Sequence, residues 1–421
     1  MAEKIGEFSP MFVAFVIFPI LASLILRLPQ RYLYPALALA GIAASYLCGI
    51  LTTFRQFQHI LRPSRFAETL VTSNLLFAGY LAIAILSYRA LRRVELAPET
   101  NHRLAYLMPL SSLLLFRLVL PRFGHIDRDG LVMVALGVSY VSFKLCYLVS
   151  EVQNGVVPMP TLSQYLSFAF FPPLIFVGPI QHYSSFHTST SSRSAPSDPA
   201  RALMRILVGI VKFTYLSAVF GEFGYGLAFL GDGHYHPAID LVLAILLYPV
   251  YLYCNFSGLC DIAIGVSGLM GISVLENFDR PFLSRNLQEF WTKWHISLSL
   301  WMRIMVFTPI VKLLSRRTTP ANTPHVIALG VMISFILIGL WHGLSSHYLL
   351  FGLSQGIGVA FVHYANLWMR RKLTKEQNLK YRASKGIYWA GVCATYCYFA
   401  LSLFLFANTL EEAHSILAHI G

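Results

Sequence analysis

Long apolar stretches recur along the chain, separated by short polar segments. None alternates apolar and polar residues with a period of two, which disfavours the strands of a membrane β-barrel. Their lengths are close to the roughly 17–25 residues that a helix needs to cross the hydrocarbon core. The pattern predicts an all-α, polytopic membrane protein with about ten transmembrane helices. Six of these stretches are Met11–Leu26, Tyr32–Phe54, Leu70–Tyr88, Leu241–Cys260, Val326–Trp341 and Tyr348–Met369.

The composition agrees with a chain that lies mostly in lipid. Hydrophobic residues make up 56% and charged residues 12%, and the mean hydropathy is +0.61. The net charge of +13 comes from Lys and Arg in short segments, the densest being Arg370–Lys385, as in cytoplasmic loops. We therefore expect a multi-pass protein of the cytoplasmic membrane, with its basic loops cytoplasmic, its C-terminus outside, and the bilayer rather than nucleic acid as its partner.

Several segments are too polar or too broken to be plain spans. Phe171–Tyr183 carries three prolines in an apolar context, and Lys144 and Asp261 interrupt apolar runs. Irregular backbone and ionisable groups at membrane depth usually face a bundle interior or an aqueous cavity. The alternative is that Lys144 extends to the interface and Asp261 caps a helix. Re-entrant or interfacial helices are expected beside the spans.

The segment "EFWTKWHISLSLWMR" combines a histidine with three tryptophans. Asn286 and Glu289 predict a capping box that starts a helix at Leu287. On that helix an apolar stripe includes Trp294, and a polar stripe contains a hydrogen-bonding histidine, as would suit the wall of a wet tunnel. An amphipathic interfacial helix is the alternative interpretation. The members of the polar stripe are Gln288, Thr292, His295 and Ser299.

A second Trp-His pair, Trp341-His342, follows an uncharged run near the end of a predicted helix. Gly339 and Gly343 have the spacing that lets another helix approach closely. A histidine held there is desolvated, which favours the neutral imidazole that a general base needs. A satisfied packing histidine is the alternative. We expect His295 and His342 to lie within a few ångströms of one shared aqueous passage.

The stretches "ENFDRPFLSRNLQEFWTKWHISLSLWMR" and "LIGLWHGLSSHY" resemble the membrane-bound O-acyltransferase family, in its bacterial cell-envelope branch. The resemblance extends over a motif-bearing core of about residues 137–360 of a single membrane-embedded domain, 1–421. It implies a ring of helices around a central funnel. It also implies that His342 is the general base, that His295 positions the acceptor or stabilises developing charge, and that Trp294 and Trp341 wall the channel. Further channel residues would be Gln288, Thr292, Ser299 and Asp261.

The same resemblance implies transfer of an acyl group from a cytoplasmic donor to a hydroxyl of a cell-envelope polymer, or of an extracytoplasmic accessory protein. Within the branch the chain most resembles the transferases of teichoic-acid D-alanylation, whose donor is a carrier-protein thioester. Transfer of acetyl from acetyl-CoA, as in alginate or peptidoglycan O-acetylation, is the alternative. No metal and no bound cofactor are expected.

Two observations leave alternatives open. Ile304-Met305 stand where the branch usually has Asp-Tyr, so the identity of the acyl group is open. A proton-coupled transporter or flippase could use His295, His342, Asp261 and Lys144 as a relay, although the inverted repeats common in transporters are not evident.

Overall fold

The computed structural model describes residues 25, 28–57, 63–96, 102–115, 128–175, 178–192, 198–224 and 237–418. These residues are nearly all helical, and the β-structure described among them is one isolated bridge between Phe278 and Trp294. The all-α prediction is confirmed. The predicted stretch Met11–Leu26 lies outside the described residues apart from Ile25, and the other five stretches lie within helices.

Seven helices of the described residues are long and apolar enough to cross a membrane. They agree with the prediction of a polytopic membrane protein, while the expected total of about ten includes segments outside those residues. The predicted ring around a funnel stays a prediction. The seven candidate spans are Asn74–Arg93, Pro199–Glu222, Ala238–Leu269, Ile296–Ser315, Pro320–His342, Ser346–Lys372 and Lys385–Ala407.

The chain divides into two compact units, the first comprising Met1–Ile210 with Leu259–Leu275 and the second Val211–Gly258 with Glu276–Gly421. The expectation of one domain over 1–421 stays a prediction. The helices of the first unit are α1 (Gln30–Phe57), α2 (Pro63–Leu96), α3 (His102–Leu114), α4 (Arg128–Gln153), α5 (Leu162–Ala169), α6 (Tyr183–Ser192) and α7 (Pro199–Ile210).

Lys144 is fully buried in the first unit. Its Nζ donates to the carbonyl oxygens of Phe168 at 3.1 Å and Ala169 at 3.0 Å. These carbonyls end α5, where a helix leaves acceptors unsatisfied and favours a cation. The interpretation that Lys144 extends to the interface is therefore wrong. The side chain holds the end of α5 just before the broken segment that begins at Phe171.

Asp261 is also engaged within the first unit. Its Oδ1 lies 3.0 Å from Nη2 and 3.1 Å from Nε of Arg205 on α7. In the same unit Glu151 is buried and accepts from Ser184 Oγ at 2.6 Å, with His182 Nδ1 at 3.1 Å. Each of these carboxylates thus has a partner, as buried charges require.

The second unit carries both Trp-His pairs. Two π-helical turns, Val211–Leu216 and Arg303–Phe307, interrupt its α-helices. Helix α13 packs against α14, which in turn packs against α16 and the short α10. Its helices, α9 continuing into the first unit, are α8 (Ser217–Gly224), α9 (Pro237–Leu269), α10 (Leu287–Lys293), α11 (Ile296–Met302), α12 (Thr308–Ser315), α13 (Thr323–His342), α14 (Ser346–Lys372), α15 (Lys375–Ala383), α16 (Lys385–Ala407) and α17 (Leu410–Ala418).

Candidate active site

Helix α10 starts at Leu287, as its capping pattern predicts. The side chain of Asn286 accepts from the backbone N–H of Glu289 at 2.9 Å. In a capping box the Glu289 side chain would accept from the backbone N–H of Asn286. Here the Glu289 carboxylate accepts instead from the N–H of Arg285, at 3.2 Å, and from Lys293 Nζ, at 2.8 Å. Burial by itself raises the pKa of the Glu289 carboxyl. The hydrogen bonds and charges of Lys293 and Arg285 outweigh burial, so this pKa lies below its ordinary value.

The predicted continuous helix through His295 is wrong. Helix α10 ends at Lys293 and α11 begins at Ile296, while His295 takes left-handed backbone angles, φ 45° and ψ 54°. Such a conformation costs a non-glycine residue roughly 1–3 kcal/mol. Two backbone hydrogen bonds to the segment Asn277–Asp279 offset this cost. The N–H of Ile296 donates to the carbonyl of Asn277 at 3.0 Å, and the N–H of Asp279 donates to the carbonyl of Lys293 at 3.0 Å.

Asn277 also sets the protonation pattern of the His295 ring. Its Oδ1 accepts from the backbone N–H of Ser297 at 3.1 Å and lies 3.2 Å from Nδ1 of His295. Because a backbone N–H can only donate, this atom is the amide oxygen, and His295 must donate to it through Nδ1–H. A neutral imidazole then carries its lone pair on Nε2.

The other nitrogen of His295 is enclosed. His295 is 5% exposed, and among the described residues its Nε2 has no hydrogen-bond partner. The rings of Phe256 and Trp341 lie around it, at centroid distances of 4.7 Å and 6.5 Å. A buried acceptor without a partner is costly, so Nε2 is suited to accept a hydrogen bond from an incoming hydroxyl.

His342 is the last residue of α13, as predicted, and is half-buried. Its ring meets the indole of Trp341 edge to face at 4.6 Å and the ring of Phe406 at 4.8 Å. Trp341 therefore neighbours both histidines. The structure brings the two Trp-His pairs together, while their shared role and the expected aqueous passage stay predictions.

The close approach of α13 and α14 positions His342. A Cβ added to Gly352 would lie 2.5 Å from the carbonyl oxygen of Phe335 and 3.3 Å from Cα of Gly339. Only glycine fits where two backbones come this near. The prediction that Gly339 allows close helix packing is confirmed, and Gly352 is its counterpart on the returning helix.

A cavity of about 450 Å³ lies beside α10 and α11. Three of the four predicted polar-stripe residues, Gln288, Thr292 and Ser299, line it even though the helix is broken. The break moves the fourth member, His295, out of the lining. Trp291 and Arg303 join the cavity wall, and their part there was not anticipated from the sequence.

The indole of Trp291 is held by a buried hydrogen-bond chain. Its Nε1–H donates to Gln355 Oε1 at 3.1 Å, Gln355 Nε2 donates to Ser402 Oγ at 2.6 Å, and Ser402 donates to the carbonyl of Phe399 at 2.7 Å. Gln355 is completely buried. These hydrogen bonds join α10, α14 and α16 and orient one wall of the cavity. In the sequence, the position of Gln355 among the glycines of α14 is the signal that could have indicated this hydrogen-bond chain.

Two other predicted channel residues lie elsewhere. Trp294 is 5% exposed and packs parallel to Phe290 at 5.6 Å, with Phe399 at 5.2 Å and Phe278 at 5.1 Å. It is not among the cavity-lining residues. Asp261 belongs to the first unit, where it pairs with Arg205. Their roles as channel residues stay predictions.

In the part of the chain that the structure describes, no group of three or more His, Cys, Asp and Glu side chains could hold a metal ion. The described site offers two imidazoles, an indole that neighbours both, and a mostly apolar cavity with a few polar side chains beside α10 and α11. That set is suited to proton transfer and to binding of a partly apolar substrate.

Comparison with known proteins gives one family. The sequence model described as MBOAT, membrane-bound O-acyltransferase family, matches residues 78–405. A teichoic acid D-alanyltransferase of Streptococcus thermophilus is 29% identical over 292 residues, which cover 66% of this chain and 69% of that protein.

Two further relatives are matched over shorter parts of their length. A teichoic acid D-alanyltransferase of Bacillus subtilis is 31% identical over 56% of this chain and 60% of that protein. A probable alginate O-acetylase, AlgI, of Pseudomonas aeruginosa is 28% identical over 54% of this chain and 42% of that protein. The chain therefore spans less than two thirds of the length of these last two.

Proposed function

The chain belongs to the membrane-bound O-acyltransferase family, and we propose that it transfers a D-alanyl group from a cytoplasmic thioester to a hydroxyl of a cell-envelope polymer. The family and the named relatives support an acyltransferase rather than a transporter. Family membership also suggests chemistry without a prosthetic group. The acyl donor is then a co-substrate, a carrier-protein thioester.

One observation carries the catalytic part of the proposal: the rings of His295 and His342 both neighbour the indole of Trp341. His342 acts as general base and takes the proton of the acceptor hydroxyl as its oxygen bonds to the thioester carbonyl carbon. The carbon–sulfur bond then breaks, and the departing thiolate takes up the proton from His342. An ester and a thiol are the products.

His295 positions the acceptor in this scheme. Because Asn277 holds the Nδ1–H of His295, the bare Nε2 can accept a hydrogen bond from another hydroxyl of a polyol acceptor. The neutral ring has no N–H left with which to stabilise a developing oxyanion. Positioning is therefore the role that the geometry favours for His295.

The cavity beside α10 is the proposed donor route. Gln288, Thr292 and Ser299 offer polar contacts to the amides of a pantetheine arm, and Trp291 offers an apolar wall. Arg303 lies on the same cavity. The residues that depart from the branch pattern, Ile304-Met305, follow Arg303 directly in the π-helical turn Arg303–Phe307. They are therefore candidates for setting which donor binds.

Acetyl transfer is the second candidate, because alginate O-acetylases are among the relatives. The D-alanyl assignment is favoured because the D-alanyltransferases are matched over 60–69% of their length, whereas the O-acetylase is matched over 42%. We also propose that the basic loops lie in the cytoplasm, that the acceptor binds at the other face, and that the protein lies in the cytoplasmic membrane.

The test uses the purified full-length protein in liposomes, with D-alanyl-pantetheine thioester and acetyl-CoA as alternative donors. Teichoic acid and alginate are the acceptors, and labelled polymer is measured. Transfer of D-alanine to teichoic acid is expected. Acetyl transfer alone would select the second candidate, and no transfer from either donor by folded protein would overturn both.

A further inference from the structure

A second cavity, of about 720 Å³, lies between α14 and α16 in the second unit. We propose that it binds one anionic glycerophospholipid, with an acyl chain in the groove and the phosphate at Arg285. We call it the α14–α16 groove, lined by α14 from Ile357 to Met369, α16 from Ile387 to Tyr398, Asn378 and Tyr381 of α15, and the segment Arg285–Leu287. This proposal goes beyond the proposed function and does not depend on it.

The groove has the length of one membrane leaflet. Ile357 to Met369 covers twelve helical steps, roughly 18 Å at 1.5 Å per residue. One leaflet contributes about half of the roughly 30 Å hydrocarbon core. Both walls belong to helices long and apolar enough to span the membrane, so the groove runs along the direction of an acyl chain.

The wall that α14 contributes to the groove is largely apolar and exposed. Phe361 is 71% exposed and Ile357 57% exposed on α14. Small residues such as Ala365 and Ala394 leave space between the helices instead of filling it. Exposed aromatic and aliphatic side chains on a spanning helix face lipid, and a concave surface of this kind accepts a chain rather than a second helix.

Polar side chains line the end of the groove next to α15, and Thr395 and Tyr398 add polar atoms at the other end. Asn366 donates to Gln288 Oε1 at 3.1 Å, and Tyr388 donates to the carbonyl of Leu283 at 2.8 Å. The side chain of Arg285 is 45% exposed, and Nε lies 3.3 Å from Glu289 Oε2. The guanidinium has five N–H donors in a planar fork that matches phosphate oxygens.

The charge at that end selects an anion. The groove closes against Asn378 and Tyr381 of α15, which belongs to Arg370–Lys385, a segment with seven basic residues and one acidic residue. Juxtamembrane basic segments attract anionic lipids. An acidic protein would also be attracted to these charges, but it would not use a leaflet-long apolar groove. A lipid with an anionic headgroup fits both ends.

The test places the full-length protein in phosphatidylcholine nanodiscs with a phosphatidylglycerol probe that carries a photoreactive diazirine on one acyl chain. The same probe with a phosphocholine headgroup is compared. We expect the phosphatidylglycerol probe to label peptides of α14 and α16, and unlabelled phosphatidylglycerol, but not phosphatidylcholine, to compete. Equal labelling by both probes, or labelling confined to the surface of α15, would overturn the proposal.

Two variants with matched controls test the two ends. Ala394→Phe fills the groove and should abolish labelling there, whereas Ala390→Phe, exposed one turn earlier on α16 and outside the lining, should not. Arg285→Gln should lower phosphatidylglycerol labelling about tenfold through loss of a charge-assisted contact, and the exposed Arg371→Gln should not. If either variant behaves as its control does, no specific site exists. Because labelling is independent of acyl transfer, this outcome is separate from that of the proposed function.

Discussion

Asn277 holds the imidazole of His295 through a contact of 3.2 Å between Oδ1 and Nδ1. The same oxygen accepts from the N–H and the hydroxyl of Ser297, at 3.1 Å and 2.9 Å. One amide oxygen therefore secures both the left-handed turn at His295 and the tautomer of its ring.

Asn277→Leu should lower acyl transfer about 10- to 100-fold, because buried donors left without an acceptor cost about 1–3 kcal/mol each. Asn277→Asp keeps an oxygen acceptor and should keep the tautomer. Nitrogen-15 NMR of histidine-labelled protein in detergent micelles reads the tautomer directly. A wild-type His295 that carries its proton on Nε2, or an unchanged spectrum in Asn277→Leu, would contradict the assignment.

His342→Ala should lower the transfer rate by about 10²- to 10⁴-fold, the usual contribution of a general base. The control is His414→Ala, a substitution of an exposed histidine on α17, which should leave the rate unchanged. Transfer is measured with saturating donor, and correct folding is checked by thermal unfolding. A well-folded His342→Ala protein with the wild-type rate would remove His342 from the mechanism.

Gln355→Leu leaves the buried Nε1–H of Trp291 without its acceptor. We expect the free energy of unfolding to fall by about 1–3 kcal/mol. We also expect the KM for the donor to rise more than kcat falls, because Trp291 lines the cavity. Trp291→Phe removes the donor N–H. The double variant should then lose less stability than the sum of the single losses, by about 0.5–3 kcal/mol. Strict additivity would show that this hydrogen bond does not couple the two residues.

Gly352→Ala should push α13 and α14 apart, because its Cβ would meet backbone atoms rather than a flexible side chain. Overpacking of this kind costs about 1–3 kcal/mol, and transfer should fall as well, because α13 carries His342. Gly386→Ala is the control, since its added Cβ has its nearest neighbour at 4.0 Å, Ser384 Oγ. Thermal unfolding of both variants in detergent measures the difference; equal melting temperatures would refute the close-packing explanation.

Glu289→Gln tests the charged hydrogen bonds at the start of α10. The pKa of Glu289 in the folded protein lies below its ordinary value, so the carboxylate stabilises the fold above the unfolded pKa of about 4.3. This contribution is lost as pH falls through the folded-state pKa. The variant should therefore melt below the wild type at neutral pH, and the gap should close in acid.

The control for that experiment is Glu376→Gln, which breaks an exposed i, i+4 pair with Lys380. Exposed pairs contribute little, so this variant should follow the wild-type melting temperature at every pH. A Glu289→Gln gap that persists in acid would mean that side-chain shape, rather than charge, matters at this position.

Much of the fold could be predicted because its signals are local. Apolar stretches of spanning length, the Asn286 cap of α10 and the spacing of Gly339 each report on a few neighbouring residues, and each is confirmed in the structure. The two Trp-His motifs indicate the family by resemblance alone. The length of an apolar stretch and the hydrogen bonds within one helix depend only on neighbouring residues, so both can be predicted from the local sequence.

The details of the site depend on contacts between residues that are far apart in the sequence. The break at His295 depends on carbonyl and amide groups of Asn277, eighteen residues earlier, and periodicity alone predicts an unbroken helix there. Trp341 beside both histidines, Gln355 beneath Trp291, and Lys144 at the end of α5 likewise depend on contacts between separate helices. The partners in such contacts are far apart in the sequence and come close only in the folded protein, so local sequence patterns do not predict them.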